Sequence, residues 1–192
     1  YALKHRQGVE FRQDSTVDLT LFSQDYEGVE AFIENSTDLI GGIGEVGLDF
    51  SPRFCKTSED KESQRHIFSK QVKLAQSHDL AVNVHSRSAG VHAIHLLREL
   101  DARKVLLHAF DGRSSLAVEG AARGFYFSVT ASICRDPQQL NEPANAVISC
   151  EQIAKIKQLD VQHVKQITTT NAVKIFPKLG SLLDTCTHEA KQ

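Results

Sequence analysis

The stretch Gly41-Gly42-Ile43-Gly44-Glu45-Val46-Gly47-Leu48-Asp49-Phe50 decides how the rest of the chain is read. It is apolar and glycine-spaced, with no lysine or arginine, as expected of a buried strand, yet it carries carboxylates at Glu45 and Asp49. Two acids at a buried strand end need partners, because an unpaired buried charge costs several kcal/mol. A metal ion, or histidines brought in by neighbouring strands, would be the simplest partners. Two later strand-like runs, Leu80 to Val84 and Lys104 to Leu107, run directly into His85 and His108.

Outward from that stretch, the chain alternates between two periodicities. Asp25 to Asn35 repeats Tyr26, Val29, Phe32 and Ile33 at helical spacing, and Leu39 to Leu48 follows as the first strand. Ser58, Glu59 and Asp60 open a long helix through His78, with Ile67, Phe68, Val72, Leu74 and Ala75 on its apolar face. Gly90 to Leu100 reads as a helix from Val91, Ile94, Leu97 and Leu100, Arg113 to Arg123 as another, and Phe125 to Val129 as a fourth strand opened by Gly124. This order predicts an α/β fold of parallel strands joined by right-handed crossovers, either a doubly wound sheet or a barrel. Past Val129 the rhythm fails. Residues Ala131 to Asn145 are polar, contain Pro137 and Pro143, and supply no strand, before two helices over Ser149 to Gln158 and Val161 to Phe176, the second closed by Pro177.

The composition fits one globular domain: 192 residues, 41% hydrophobic and 24% charged, with a net charge of -2. No global field draws such a chain to nucleic acid, so contact with a phosphate backbone would need a local patch. No apolar run approaches the roughly 20 residues of a membrane span, and no signal-peptide pattern opens the chain. The expectation is a soluble intracellular protein of cytoplasm or nucleus, with no membrane association and no protein partner implied. Cys55, Cys134, Cys150 and Cys186 form no CxxC pair and are expected to be reduced and structural.

Parallel α/β folds carry their chemistry at the carboxyl ends of the strands, where Glu45, His85 and His108 all fall. Carboxylate and imidazole are common ligands of divalent cations, and a carboxylate can bridge two of them. Two ions about 3.5–4 Å apart would clamp both oxygens of a displacement at a phosphodiester. Arg53, Arg87 and Arg113 each follow one of these ends, where forked guanidinium groups suit phosphate oxygens. Asp49 and Asp111 are placed to orient an arginine or a ligating histidine from behind. Each residue also has a plainer reading: a solvated glutamate, packing or capping histidines, arginines in open loops, aspartates in turns. The other histidines read as surface or packing residues, and His92 and His95 lack the acid of an HExxH site. No GxSxG elbow is present, no cysteine sits at a strand end, and the glycines at 41, 42, 44 and 47 lie inside a strand rather than in a dinucleotide-binding turn.

Together these segments resemble the TatD family of metal-dependent deoxyribonucleases. The resemblance runs through GEVGLDF at 44–50, the helix with Gln64 and Gln71, VNVHSR at 82–87, LLHAFDG at 106–112 and Thr170-Asn171-Ala172-Val173-Lys174-Ile175-Phe176. It implies a TIM-type (β/α)8 barrel of the metal-dependent hydrolase superfamily, hydrolysing phosphodiester bonds in DNA. It further implies two divalent cations (Mg, Mn or Zn), with Glu45 shared between them and His85 and His108 ligating one. The His-x-His that opens the family's first strand has no counterpart before Glu45, and the weak Leu3-Lys4-His5-Arg6 gives His5 no role. The late strand bearing Glu-Thr-Asp is also not found. Arg135-Asp136-Pro137-Gln138-Gln139 passes directly to Leu140-Asn141-Glu142-Pro143, so no catalytic residue is assigned. The expectation is therefore a partial barrel without its first and seventh strands, a single domain over 1–192, incomplete at its N-terminus and near 139–140. Two alternatives stay open: a degenerate, non-catalytic relative, and a hydrolase of small phosphoesters or amides.

Overall fold

The computed structural model describes residues 19–130 and 143–181, with side chains described for 28–130 and 144–181. Helix α1 (Leu19–Ser36) leads into β1 (Gly42–Gly47), α2 (Ser58–Ser77), β2 (Ala81–His85), α3 (Gly90–Glu99), β3 (Val105–Leu107), α4 (Ser114–Ala122) and β4 (Tyr126–Phe127). A 3-10 turn, Pro143–Asn145, then opens α5 (Ala146–Lys157), which is followed by α6 (Val161–Ile175). The four strands form one parallel sheet in the order β1-β2-β3-β4, with a helix between each pair. Such a run of β/α units is the arrangement of half an eight-stranded barrel.

Strand alternation divides the sheet into two faces. Val46, Val82, Val84, Val105 and Leu107 turn toward the helices and are buried with Phe68, Val72, Ala93, Ile94 and Leu97. The alternate residues, Asn83, His85, Leu106 and His108, belong to the opposite face, which is the inner face of a barrel. Burial of the first set at roughly 25 cal/mol per Å² of apolar surface is what holds the helices on the sheet. Helix α2 starts where it does because of a capping box. The Thr57 side chain accepts from the Asp60 N–H at 3.1 Å, and the Asp60 carboxylate accepts from the Thr57 N–H at 2.9 Å.

Several expectations need correction. The 41–50 stretch is not a buried strand: Gly44 and Glu45 are exposed, and only Val46 and Leu48 are buried. β1 is an edge of the described sheet, and glycines leave its inner face without side chains to cover it. Leu39, expected in the strand, is exposed ahead of it. β4 shortens to Tyr126–Phe127 because β3 offers it only Leu106 and Leu107 as ladder partners. α1 begins earlier than the periodicity indicates, and α5 begins at Ala146 rather than Ser149.

The segment beyond α6 returns to β1. The Phe176 ring packs where a Cβ on Gly42 would sit, and Lys178 Nζ donates to the carbonyls of Thr37 and Ile40. His5, Asp136, Cys134, Cys186 and the gap near 139–140 lie outside the described residues. Among the described residues, Cys55 and Cys150 are free thiols, and no helix is long and apolar enough to cross a membrane.

Candidate metal centre

Three side chains converge at the carboxyl ends of adjacent strands. Glu45 comes from β1, His85 ends β2, and His108 directly follows β3. Glu45 reaches across because β1 and β2 approach closely at two glycines. A Cβ on Gly44 would lie 2.6 Å from the Asn83 Cβ, and one on Gly47 would run into the His85 carbonyl oxygen. Gly47 also has φ of +144°, a conformation side chains disfavour. His108 is fixed from both sides. Its N–H donates to the Val84 carbonyl at 3.0 Å, and the next N–H, of Ala109, donates to Ser128 Oγ at 3.0 Å.

One carboxylate and two imidazoles therefore meet. His85 Nδ1 lies 3.0 Å from Glu45 Oε1, His108 Nε2 lies 3.3 Å from Glu45 Oε2, and the two nitrogens are 3.3 Å apart. Side-chain exposures of 50% for Glu45, 20% for His85 and 25% for His108 leave the cluster open to solvent on the glutamate side. Behind it, the Asp49 carboxylate Oδ2 stands 3.5 Å from His85 Nε2. Burial raises the pKa of Asp49, but the Ser51 hydrogen bonds, then His85, outweigh it and hold the carboxyl below its usual range. The Asp49 carboxylate thus backs the Nε2 side of the His85 ring while Nδ1 faces Glu45.

His85 Nδ1, His108 Nε2 and two carboxylate oxygens crowd one small volume, which favours positive charge between them. Additional protons could supply it, and so could a cation. Two ligands at about 2.05 Å from a tetrahedral ion are about 3.3 Å apart, and the observed edges are 3.0, 3.3 and 3.3 Å. The three residues each offer one ligand atom within 4.8 Å of the others, within reach of one small divalent ion, and they are the one metal-compatible group found among the described residues.

The other expected residues do not join the cluster. Arg53 and Arg87 are exposed on the loops after β1 and β2; the Arg53 guanidinium lies 5.2 Å over the Phe54 ring. Asp111 is exposed with Arg113 in a cleft between the starts of α3 and α4, and among the described residues no hydrogen bond or ion pair links it to Glu45, His85 or His108. Beside the centre, the Arg65 guanidinium donates to His92 Nδ1 at 2.7 Å and the His92 ring packs 5.1 Å from Phe50. Burial, then Arg65, lowers the pKa of His92. Sequence reasoning gave no role to Ser51, Gln64 or Ser128. Gln64 alone had left a trace, as part of the helix motif after the 44–50 stretch.

Comparison with known proteins shows the family. The family described as TatD related DNase matches residues 18–140. Deoxyribonuclease TATDN3 of Homo sapiens is 47% identical over 79% of this chain and 65% of its own length. A relative in Mus musculus is 46% identical over 79% and 60%, so the chain spans less than two thirds of both. Uncharacterized metal-dependent hydrolase YabD of Bacillus subtilis is 27% identical over 70% of this chain and 64% of its own. A crystal structure of a TatD homologue from Escherichia coli superimposes with a TM-score of 0.71 at 18% identity, covering 81% of this chain and 71% of that one. A TatD family hydrolase from Entamoeba histolytica gives 0.67 at 16% identity, over 83% and 71%. Fold likeness reaches well past sequence likeness, and the family match covers more than half of the residues. The chain belongs to the TatD family.

Proposed function

We infer that the chain is a divalent-metal-dependent hydrolase of phosphodiester bonds in DNA. The convergence of Glu45, His85 and His108 carries this reading, since each offers one ligand atom within 4.8 Å of the others at the carboxyl ends of adjacent strands. The names of its relatives point the same way: a deoxyribonuclease in Homo sapiens and, in Cronobacter sakazakii, a 3'-5' ssDNA/RNA exonuclease 37% identical over 51% of this chain. Glu45, half-exposed and with two carboxylate oxygens, is the residue able to serve two cations. His85 and His108 would hold one, with Asp49 orienting the His85 ring from behind. A divalent ion bound there, Mg, Mn or Zn, would polarise a phosphoryl oxygen. Arg53 and Arg87, exposed on the flanking loops, are suited to hold neighbouring phosphate oxygens of the strand.

Purified protein supplied with Mg or Mn should degrade labelled single-stranded DNA, with the rate falling at least about 100-fold in Glu45→Ala and in His108→Ala, the scale of losing a transition-state charge contact. Unchanged rates in both variants would remove the assignment. Stoichiometric metal without turnover of DNA would instead favour a chain that keeps the centre but not the reaction. Turnover of a small phosphodiester alone would make the substrate small.

A further inference from the structure

Gln64 has no counterpart in the metal reading, yet its side chain makes two of the best-defined hydrogen bonds near the site. The Asp49 N–H donates to Gln64 Oε1 at 2.8 Å, and Gln64 Nε2 donates to the Asp49 carbonyl at 2.9 Å. The backbone of β1 explains the need for them. Past the end of the strand, Leu48 N–H donates to the His85 carbonyl and Phe50 N–H to the Arg87 carbonyl, so these residues face β2. Asp49, between them, turns its N–H and C=O to the opposite side, the edge where the described sheet has no further strand. A partly buried backbone donor and acceptor left unpaired there would each cost free energy.

A primary amide is the side-chain group that can serve both, accepting with one atom and donating with the other in the same plane. Gln64 thereby takes the place of a neighbouring strand over one residue. A glutamate could only accept and a lysine only donate. The capping box at Thr57 and Asp60 sets the start of α2 and so places Gln64 opposite Asp49.

We propose that Gln64 is a positioning residue of the metal centre, acting through Asp49 on His85. The Asp49 backbone is clamped by Gln64, and its carboxylate is held by Ser51 N–H at 2.9 Å and stands 3.5 Å from His85 Nε2. His85 in turn presents Nδ1 to Glu45 at 3.0 Å. Free of Gln64, the Asp49 peptide can shift, its carboxylate leaves Nε2, and His85 loses the group that orients its ring with Nδ1 inward. Loss of such a supporting contact behind a ligating histidine lowers metal affinity roughly 10–100-fold.

This rests on reading Glu45, His85 and His108 as metal ligands, and titration calorimetry with Mn tests the two separately. If the wild-type chain binds no Mn, both readings fall. If it binds, Gln64→Ala should weaken binding about 10-fold or more, and Gln64→Glu, which still accepts from the Asp49 N–H, should weaken it less. The effect should also be shared with Asp49→Asn: the double variant Gln64→Ala/Asp49→Asn should bind no more weakly than Asp49→Asn alone, within about 2-fold. A residue that merely braced the fold would give additive losses tracking thermal stability. Equal Mn affinity in wild type and in folded Gln64→Ala, or in Gln64→Glu should the alanine variant not fold, overturns the proposal, as do additive losses.

Discussion

Replacing Gly47 by alanine tests whether the close approach of β1 to β2 builds the centre. At this position φ is +144°, and the new Cβ would collide with the His85 carbonyl oxygen, with the carbonyl carbon and nitrogen of the same residue each at 2.9 Å. All three are backbone atoms, so no side-chain rotation relieves the clash. The strained φ costs about 1–3 kcal/mol. Forcing the strands apart also breaks the Leu48 N–H to His85 carbonyl bond of 2.9 Å, a further loss of about 1–3 kcal/mol. Alanine returns about 0.4–1 kcal/mol by restricting the unfolded chain. The net expectation is a loss of about 2–5 kcal/mol, a large share of the roughly 5–15 kcal/mol that a domain possesses. Two other glycines separate the terms. Gly124 has φ of +83° but nothing within 4 Å of its Cβ position, and Gly41 has neither positive φ nor a neighbour. Gly124→Ala should therefore lose only about 1 kcal/mol, and Gly41→Ala should be neutral or slightly stabilised. In urea unfolding followed by circular dichroism, Gly47→Ala should lower the midpoint by roughly 1–2 M, and its Mn affinity should fall because Glu45 no longer faces His85. A Gly47→Ala midpoint within 0.5 M of that of Gly41→Ala, on an m-value of about 2 kcal/mol/M, would refute the strain and clash reasoning. Lost stability with unchanged Mn affinity would refute the link to the site.

Two further outcomes follow from the surroundings of the centre. Thr57→Ala removes the hydroxyl that accepts from the Asp60 N–H at 3.1 Å and should cost about 1 kcal/mol in urea unfolding; no change in midpoint would mean that the capping box does not fix the start of α2. His92 is lowered in pKa by burial, then by Arg65 and Lys61, so its neutral form is favoured in the folded chain. Its contribution is fully present above the unfolded value of about 6.5 and is lost as pH falls through the lower folded value. An NMR titration should give a His92 midpoint below the ordinary histidine value, rising part of the way back in Arg65→Ala because burial remains. A midpoint at or above the ordinary value would contradict the placement of Arg65 on the ring.

Much of this was legible in the sequence because it depends on chain order. Alternating periods imply parallel strands with intervening helices, and in such folds the residues at strand ends gather at one edge whatever the details of packing. That is why Glu45, His85 and His108, separated by 40 and 23 positions in the chain, could be grouped before any coordinate was known. Strand extent and exposure were less legible. An apolar run spaced by glycines looks buried, but glycine carries no side chain to show which face is covered, and Glu45 lies half-exposed on an edge strand. The length of β4 was likewise set by its partner: Tyr126 and Phe127 pair because Leu106 and Leu107 are there, and nothing in Phe125 to Val129 itself stops the strand.

Gln64 shows why the supporting residues stayed hidden. Its type is determined by two backbone atoms 15 positions away, and those atoms need a side-chain partner only because β1 has no neighbour on that side among the described strands. No periodicity records such a demand. On α2 the core face is marked by Phe68, Val72 and Ala75, which recur at helical spacing, and Gln64, one turn earlier on the same stripe, is a polar residue whose backbone partners that spacing does not reveal. The ligands of a centre are set by where strands end, and their orientation by which backbone groups the sheet leaves unpaired. In this chain the first can be counted along the sequence, whereas the second appears only once β1 is seen to be an edge.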